Sequence, residues 1–293
     1  MTIAVTGATG HLGALVIDHL LETTAPADVV AVVRDPAKAA ALVDRGVTVR
    51  PAAYTDPAAL RAAFDGVDTL MFVSSSEAGQ RVEQHRNVID AAVAAGVGRV
   101  VYTSAPRATT TQLVLAPEHK FTEEYLAASG LPFTILRNNW YTENYAGLVE
   151  TARQTGTVVA AAGDGRVASA SRADFAAAAA EVLTGAGHEG QVYELGGDHA
   201  WDYSELAAAL AQIVGAPVTY RSVDVPTLTG ILQGVGMDAP TAGFVAQMDD
   251  DIAHGALAET TGELAKLIGR PTTPLLDGLR QAVGATAPRT IRR

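Results

Sequence analysis

The amino-acid sequence predicts an α/β fold built on a doubly wound parallel sheet, with a smaller, mostly helical C-terminal lobe. Three observations lead there. Short apolar, β-branched runs alternate with helix-length segments across residues 1–137, the pattern of parallel strands joined by crossover helices. A glycine-spaced turn, "TGATGHLG", sits between the first such run and the first helical segment, where a Rossmann-type domain makes its phosphate-binding turn. After Arg137 the alternation stops, and a polar aromatic segment leads into a region that is mostly helical from Tyr203 onward, with turns marked by proline.

Taken in order, strands are predicted over 3–6, 29–33, 47–50, 69–73, 99–103 and 133–136. The segments 11–22, 36–46, 57–66, 81–96 and 117–130 read as helices, several of them ending in a glycine suited to a left-handed cap. Beyond them come a short strand at 157–160, an alanine-rich helix from Arg172 and a strand at 191–195. The predicted division is a Rossmann-type domain over 1–137, with interleaved contributions from about 157–190, and a smaller lobe made of 138–156 and 191–293. The terminal stretch "ATAPRTIRR" is expected to fray.

Composition narrows the chemistry. With 48% hydrophobic and 18% charged residues, a chain of 293 residues buries a sizeable core. The longest apolar runs, such as "AAAAAEVL", fall short of the roughly 20 residues a membrane span requires, and a cytoplasmic location is expected. Cysteine is absent, which removes disulfides, thiolate nucleophiles and Cys-ligated zinc. The net charge of −11, from 21 basic against 32 acidic residues, argues against nucleic acid as a general partner.

The glycine motif carries the first functional signal. Gly7, Gly10 and Gly13 are spaced G-x-x-G-x-x-G. Gly7 allows a tight turn, Gly10 lets a pyrophosphate approach the backbone, and Gly13 permits close contact of helix and strand. Ala8, Thr9, His11 and Leu12 complete the loop, whose amides face the phosphates at a helix N-terminus. At the end of the second strand an acid would select NAD by its ribose hydroxyl; Arg34 stands there instead. Its fork suits a 2′-phosphate, and Lys38 adds a point charge, so NADPH is the predicted cofactor. Asp35 is the competing feature, since it can accept from the ribose hydroxyl itself.

Three hydroxyls, Ser74, Ser75 and Ser76, follow the fourth strand, where they either meet the nucleotide or shape a polar loop and cap the next helix. Ser104 ends the fifth strand in "VVYTSAP", but none of the eight tyrosines has a lysine four residues later. Without that pair, Ser104 reads as loop structure. Lys120, one of three lysines, is either a proton relay or a solvated residue, and His85 reads as structural or surface. After the sixth strand, Asn138 offers an amide to a carboxamide or quinone oxygen, and Trp140 and Tyr141 offer flat apolar surface. The same segment can equally be a helix entrance packing aromatics between the lobes. Ser169 and Ser171 can reach a ligand, or, with Asp174, dock the alanine-rich helix.

The segments "TGATGHLG", "AVVRDPAKAAAL", "SSSEAGQRVEQHRNVIDAA", "LRNNWYTENY", "AAGDGRVASASRADFAAAAA", "GHEGQVYEL" and "KLIGRPTTPL" together resemble the flavin-free NADPH:quinone oxidoreductases of the NmrA-like atypical short-chain dehydrogenases. The matches run in order along nearly the whole chain. The resemblance implies that residues 1–137 bind NADP and the smaller lobe takes the substrate. It implies that NADPH is held by the loop from Gly7 to Leu12, by Arg34 and by Ser74, Ser75 and Ser76. It places Asn138, Asn139, Trp140, Tyr141, Thr142 and Glu143 beside the nicotinamide, with the asparagine helping to seat a quinone. His11 stands where glutamine is common, and Asn139 where glycine is expected, which predicts a narrower pocket. The related triphenylmethane-dye reductases resemble the chain less closely, and NmrA-like redox sensors, which bind NADP without catalysis, form the alternative class.

The absent Tyr-x-x-x-Lys pair argues against ordinary alcohol dehydrogenation rather than against catalysis. A quinone accepts hydride readily, so direct transfer asks for proximity, ring alignment and an oxygen-stabilising donor.

Overall fold

The computed structural model describes residues 1–286; most of the tail expected to fray, from residue 287 on, lies outside the described residues. The chain runs through β1 (Ile3–Val5), α1 (His11–Thr23), β2 (Val29–Val33), α2 (Ala40–Asp44), β3 (Thr48–Pro51), α3 (Pro57–Ala63), β4 (Thr69–Phe72), α4 (Arg81–Ala95), β5 (Arg99–Ser104), α5 (Ala116–Ala128) and β6 (Phe133–Asn138). It continues through α6 (Leu148–Thr155), β7 (Thr157–Ala160), β8 (Arg166–Val167), α7 (Arg172–Thr184), β9 (Val192–Leu195), β10 (Trp201–Asp202), α8 (Tyr203–Val214), β11 (Thr219–Ser222), α9 (Val225–Gly234), α10 (Ala239–Ala253), α11 (Glu263–Ile268) and α12 (Leu275–Thr286).

Seven strands form one parallel sheet in the order β3-β2-β1-β4-β5-β6-β9. Strand alternation explains the two layers around it. Ile3, Val5, Ala31, Met71 and Leu136 pack on one face with Val16, Ile17 and Leu20 of α1 and Phe175 and Leu183 of α7. Ala4, Val30, Val32, Leu70, Phe72 and Tyr102 face the other way onto Leu60 of α3, Val88 and Ile89 of α4 and Leu126 of α5. Because order reverses between β1 and β4, the loops after these two strands flank the crevice where such sheets bind ligands.

Two segments sit differently from the sequence-based division. Val192–Leu195 joins the main sheet beside β6, although the sequence places 191–293 in the smaller lobe; a short strand following α7 pairs with the otherwise open edge of β6. From the stretch 157–190, α7 packs on the sheet, and His188 and Gly190 bond to the start of β6. β7 pairs with β11, and β8 with β10, in two small sheets of the second lobe. The core of that lobe gathers Tyr145, Val149, Val158, Trp201, Leu206, Leu210, Ile252 and Leu279. The helix predicted at 36–46 is split into a 3₁₀ turn, Pro36–Ala39, and the short α2. No helix among the described residues is long and apolar enough to cross a membrane.

Candidate active site

The glycine loop explains its own spacing. Gly7 turns the chain out of β1 with φ +58°, a left-handed conformation that L side chains rarely adopt. Gly10 then precedes α1 without a side-chain cap, and α1 has no acid in its first turn, so the helix start keeps its amides and partial positive charge for an incoming anion. A Cβ on Gly13 would lie 2.3 Å from the Gly7 carbonyl oxygen, and one on Gly10 would lie 3.0 Å from the same atom. Thr9, Gly10 and His11 are exposed on the crevice side of this turn, whereas Ala8 and Leu12 are buried and anchor it. Thr6, just before it, hydrogen-bonds through Oγ1 with the Val73 amide at 3.0 Å and with the Tyr54 hydroxyl at 2.6 Å. Tyr54 also reaches the Val73 carbonyl at 2.6 Å, and so ties the loop after β1 to the end of β4. Sequence reading missed Tyr54; its only signal is an aromatic shortly after the third strand, at the ligand-facing end of the sheet.

Arg34 follows β2 directly and is largely exposed. Its Nη1 lies 2.7 Å from Glu77 Oε1. Asp35, the competitor for the ribose, is occupied: its Oδ1 accepts from the Ala37 amide at 3.1 Å and caps the 3₁₀ turn. Lys38 is exposed within that turn.

The three serines have different surroundings. The Ser74 amide donates to Thr103 Oγ1 at 2.8 Å, and the Ser75 amide donates to His85 Nε2 at 3.0 Å. Ser75 Oγ accepts from the Glu77 amide at 3.1 Å, while Ser76 is exposed. Because His85 Nε2 accepts, its proton sits on Nδ1, which donates to Thr122 Oγ1 at 2.8 Å; that hydroxyl in turn donates a hydrogen bond to the Glu118 carbonyl at 2.7 Å. Burial pushes the His85 pKa down to about 3, so the ring is neutral and its donor and acceptor nitrogens are fixed. Arg81 completes the support, donating from Nε to the Ser75 carbonyl at 2.6 Å and pairing with Glu118 at 3.0 Å. His85 is therefore structural, and what it holds in place is the serine segment.

At the far end of the crevice, β6 ends in Asn138 and is followed by Asn139, and the two asparagines have opposite fates. Asn138 is buried, its Nδ2 faces the Tyr141 hydroxyl at 3.4 Å, and its Oδ1 has no hydrogen-bond partner among the described residues. A buried amide oxygen left unpaired is costly and asks for a donor. Tyr141 stands edge-on to Phe175 with ring centroids 5.3 Å apart and carries the Arg172 guanidinium 4.7 Å over its face. Burial raises the pKa of its hydroxyl, which keeps it protonated.

Several expected ligand contacts turn inward instead. Asn139 Nδ2 donates to the Leu257 carbonyl at 3.2 Å and its Oδ1 accepts from the Trp140 amide at 2.7 Å. Asn139, just past β6, thus ties the end of the sheet to the smaller lobe through its side chain. Trp140 packs on the second lobe's core. Thr142 Oγ1 and Trp201 Nε1 both meet the buried Ser169 Oγ at 2.9 Å, a network inside the smaller lobe that consumes both hydroxyls. Glu143 accepts from the Arg172 amide at 2.8 Å at the start of α7. Ser171 caps that helix by accepting from the Asp174 amide, and Asp174 meets Arg270 at 2.7 Å and the Thr273 amide at 2.8 Å. The docking alternative holds for Ser171 and Asp174, and the aromatic packing alternative for Trp140.

Lys120 is not brought to the site. It is half exposed on α5, 4.0 Å from Glu124 one turn along the same helix, because the buried face of that helix presents His119, Thr122 and Glu123 instead. Ser104 donates to Glu123 Oε1 at 2.6 Å, and Glu123 is paired with Arg137 at 2.6 Å. Arg137 also meets Glu194 at 2.8 Å, and the hydrogen bond to Glu123 above all holds its proton more tightly than usual. Ser104 thus belongs to a buried ionic network under the sheet end.

The arrangement joins a helix start with no side-chain cap, an exposed cation at the end of β2, a braced serine segment and a buried amide two strands away. Residues 7–186 match a family model described as NAD(P)H-binding. Quinone oxidoreductase 2 of Escherichia coli K12 is 50% identical over 277 residues, 94% of this chain and 97% of that protein. The crystal structure of an E. coli NADPH-dependent quinone oxidoreductase complexed with NADPH superposes with a TM-score of 0.93 at 49% identity, covering 96% of this chain and 99% of the other. A Citrobacter sp. triphenylmethane reductase complexed with NADP(H) gives 0.92 at 38% identity, covering 96% and 100%. The chain therefore belongs to the NAD(P)H-binding family, in the group that includes quinone oxidoreductase 2.

Proposed function

We propose that this protein is a flavin-free, NADPH-dependent quinone reductase of the cytoplasm. The observation that carries the reading is Asn138, a buried amide with an unpaired oxygen at the carboxyl end of β6, in a chain half identical to a quinone oxidoreductase along nearly its whole length. The site fits the dinucleotide: the first amides of α1 have no side-chain cap, and there is little room for side chains at Gly10 and Gly13. These amides hold the pyrophosphate, Arg34 and Lys38 the 2′-phosphate, and Ser74, Ser75 and Ser76 line the approach to the nicotinamide.

Bound NADPH supplies the hydride that reduces the quinone. The chain's own part is to hold and orient the reacting groups. Asn138 Oδ1 accepts from a carboxamide or its Nδ2 donates to the quinone oxygen, and Tyr141, clamped by Phe175 and Arg172, keeps that amide from rotating. No strong protein acid is required for a good acceptor, and water delivers the proton.

Loss of nicotinamide absorbance on adding a small benzoquinone, against a control without enzyme, tests the reading. A saturable rate well above the control supports it. Nucleotide binding without turnover across several quinones would assign the protein to the sensor class instead, and turnover of a triphenylmethane dye alone would assign it to the dye reductases.

A further inference from the structure

The guanidinium at the end of β2 is already spoken for. Arg34 Nη1 meets Glu77 Oε1 at 2.7 Å, and Glu77 Oε2 accepts from Gln84 Nε2 at 2.8 Å. Gln84 is buried on α4, and the Glu77 amide is bound by Ser75 Oγ at 3.1 Å. The carboxylate is thus held on both oxygens and at its backbone, across 43 residues of sequence from Arg34. An accidental surface pair lacks this backing.

We infer that Glu77 is the resident counter-ion of the 2′-phosphate subsite, a competitor for the Arg34 guanidinium that the phosphate displaces on binding. With Glu77 in place, the fork of Arg34 is neutralised, and a ribose hydroxyl has nothing to offer in exchange. A 2′-phosphate carries more charge and three acceptor oxygens, so it wins the guanidinium from a single carboxylate. The cost falls on the nucleotide that uses Arg34, which first breaks the Glu77 pair; one without the 2′-phosphate leaves the pair intact, so Glu77 moderates the affinity for the phosphorylated nucleotide alone. This inference rests on Arg34 meeting the 2′-phosphate, as proposed above.

Calorimetric titration of the full chain with 2′,5′-ADP and with 5′-AMP separates the two ideas. Tighter binding of 2′,5′-ADP than of 5′-AMP by the unsubstituted protein is the requirement of the NADPH reading, and its absence would remove that reading together with this one. Given that preference, Glu77→Gln, which keeps an acceptor for Gln84, is expected to tighten 2′,5′-ADP about three- to fivefold, the worth of one competing exposed ion pair. Affinity for 5′-AMP stays unchanged, and the gain disappears when Arg34→Ala is added. Unchanged or weaker 2′,5′-ADP binding in Glu77→Gln overturns the inference, as does an equal gain in the Arg34→Ala background, which would show a general charge effect rather than competition for the guanidinium.

Discussion

Replacing Gly13 with alanine is a one-methyl perturbation with a consequence that can be worked from the geometry. The new Cβ would lie 2.3 Å from the Gly7 carbonyl oxygen, 2.9 Å from its carbon and 3.1 Å from Ala8 Cα. All three are backbone atoms, so no rotamer change relieves them; α1 must withdraw from the loop by about 1 Å to reach ordinary contact. The helix cannot do so freely, since Val16, Ile17 and Leu20 are packed against the sheet and α7. Overpacking of this kind costs about 1–3 kcal/mol, and the same displacement misaligns the amides meant for the pyrophosphate. Gly13→Ala is therefore expected to lower Tm and weaken NADPH binding by about tenfold or more. Gly10→Ala, with a single contact at 3.0 Å, should be milder in both. Fluorescence titration and thermal melting read the two effects. Wild-type affinity and Tm in Gly13→Ala would refute the close-approach argument.

Three further outcomes are expected. Arg34→Asp should weaken NADPH binding by about tenfold or more, through loss of a charge-assisted fork and added repulsion, and shift the preference toward NADH; an unchanged preference places the 2′-phosphate elsewhere. Asn138→Ala should cut quinone turnover by about tenfold or more while NADPH binding is retained, and unchanged turnover would remove Asn138 from the mechanism. Burial holds both His85 and His119 down at about 3, against 6.5 for the free side chain. The unfolded chain therefore binds more protons between those values, and stability falls as pH drops through that window. Each histidine contributes a loss of about 2 kcal/mol between pH 7 and 5. His119→Gln, which keeps a partner for Tyr102, should remove about half of that pH dependence in denaturant melts, and an undiminished slope would contradict the assignment.

Much of the sheet was legible because buried parallel strands and amphipathic crossovers have distinct periods, and the main-sheet strands up to β6 fall within about two residues of the predicted positions. β9 was legible as a strand but not as part of the main sheet: its partner, β6, precedes it by a long excursion through the smaller lobe, and nothing local records that pairing. The glycine loop and Arg34 could be read because turn geometry and charge are local properties. The segment from Asn138 to Glu143 could not be resolved residue by residue, since Asn138 faces Tyr141 three residues on while Asn139 bonds to Leu257, a partner distant in sequence. Lys120 misled because its helix turns its buried face through His119 and Glu123. Tyr54, Glu77 and the His85 support of Ser75 act across distant sequence positions, which no spacing rule marks.

Direct reduction of a quinone at the Asn138 end of the crevice is tested by rapid mixing of the NADPH-loaded protein, free of flavin absorbance, with benzoquinone. A saturable loss of nicotinamide absorbance is expected, faster than the uncatalysed reaction and slowed when the transferred hydrogen on nicotinamide C4 is deuterium. A rate no greater than the uncatalysed one, from protein that binds NADPH normally, would contradict it.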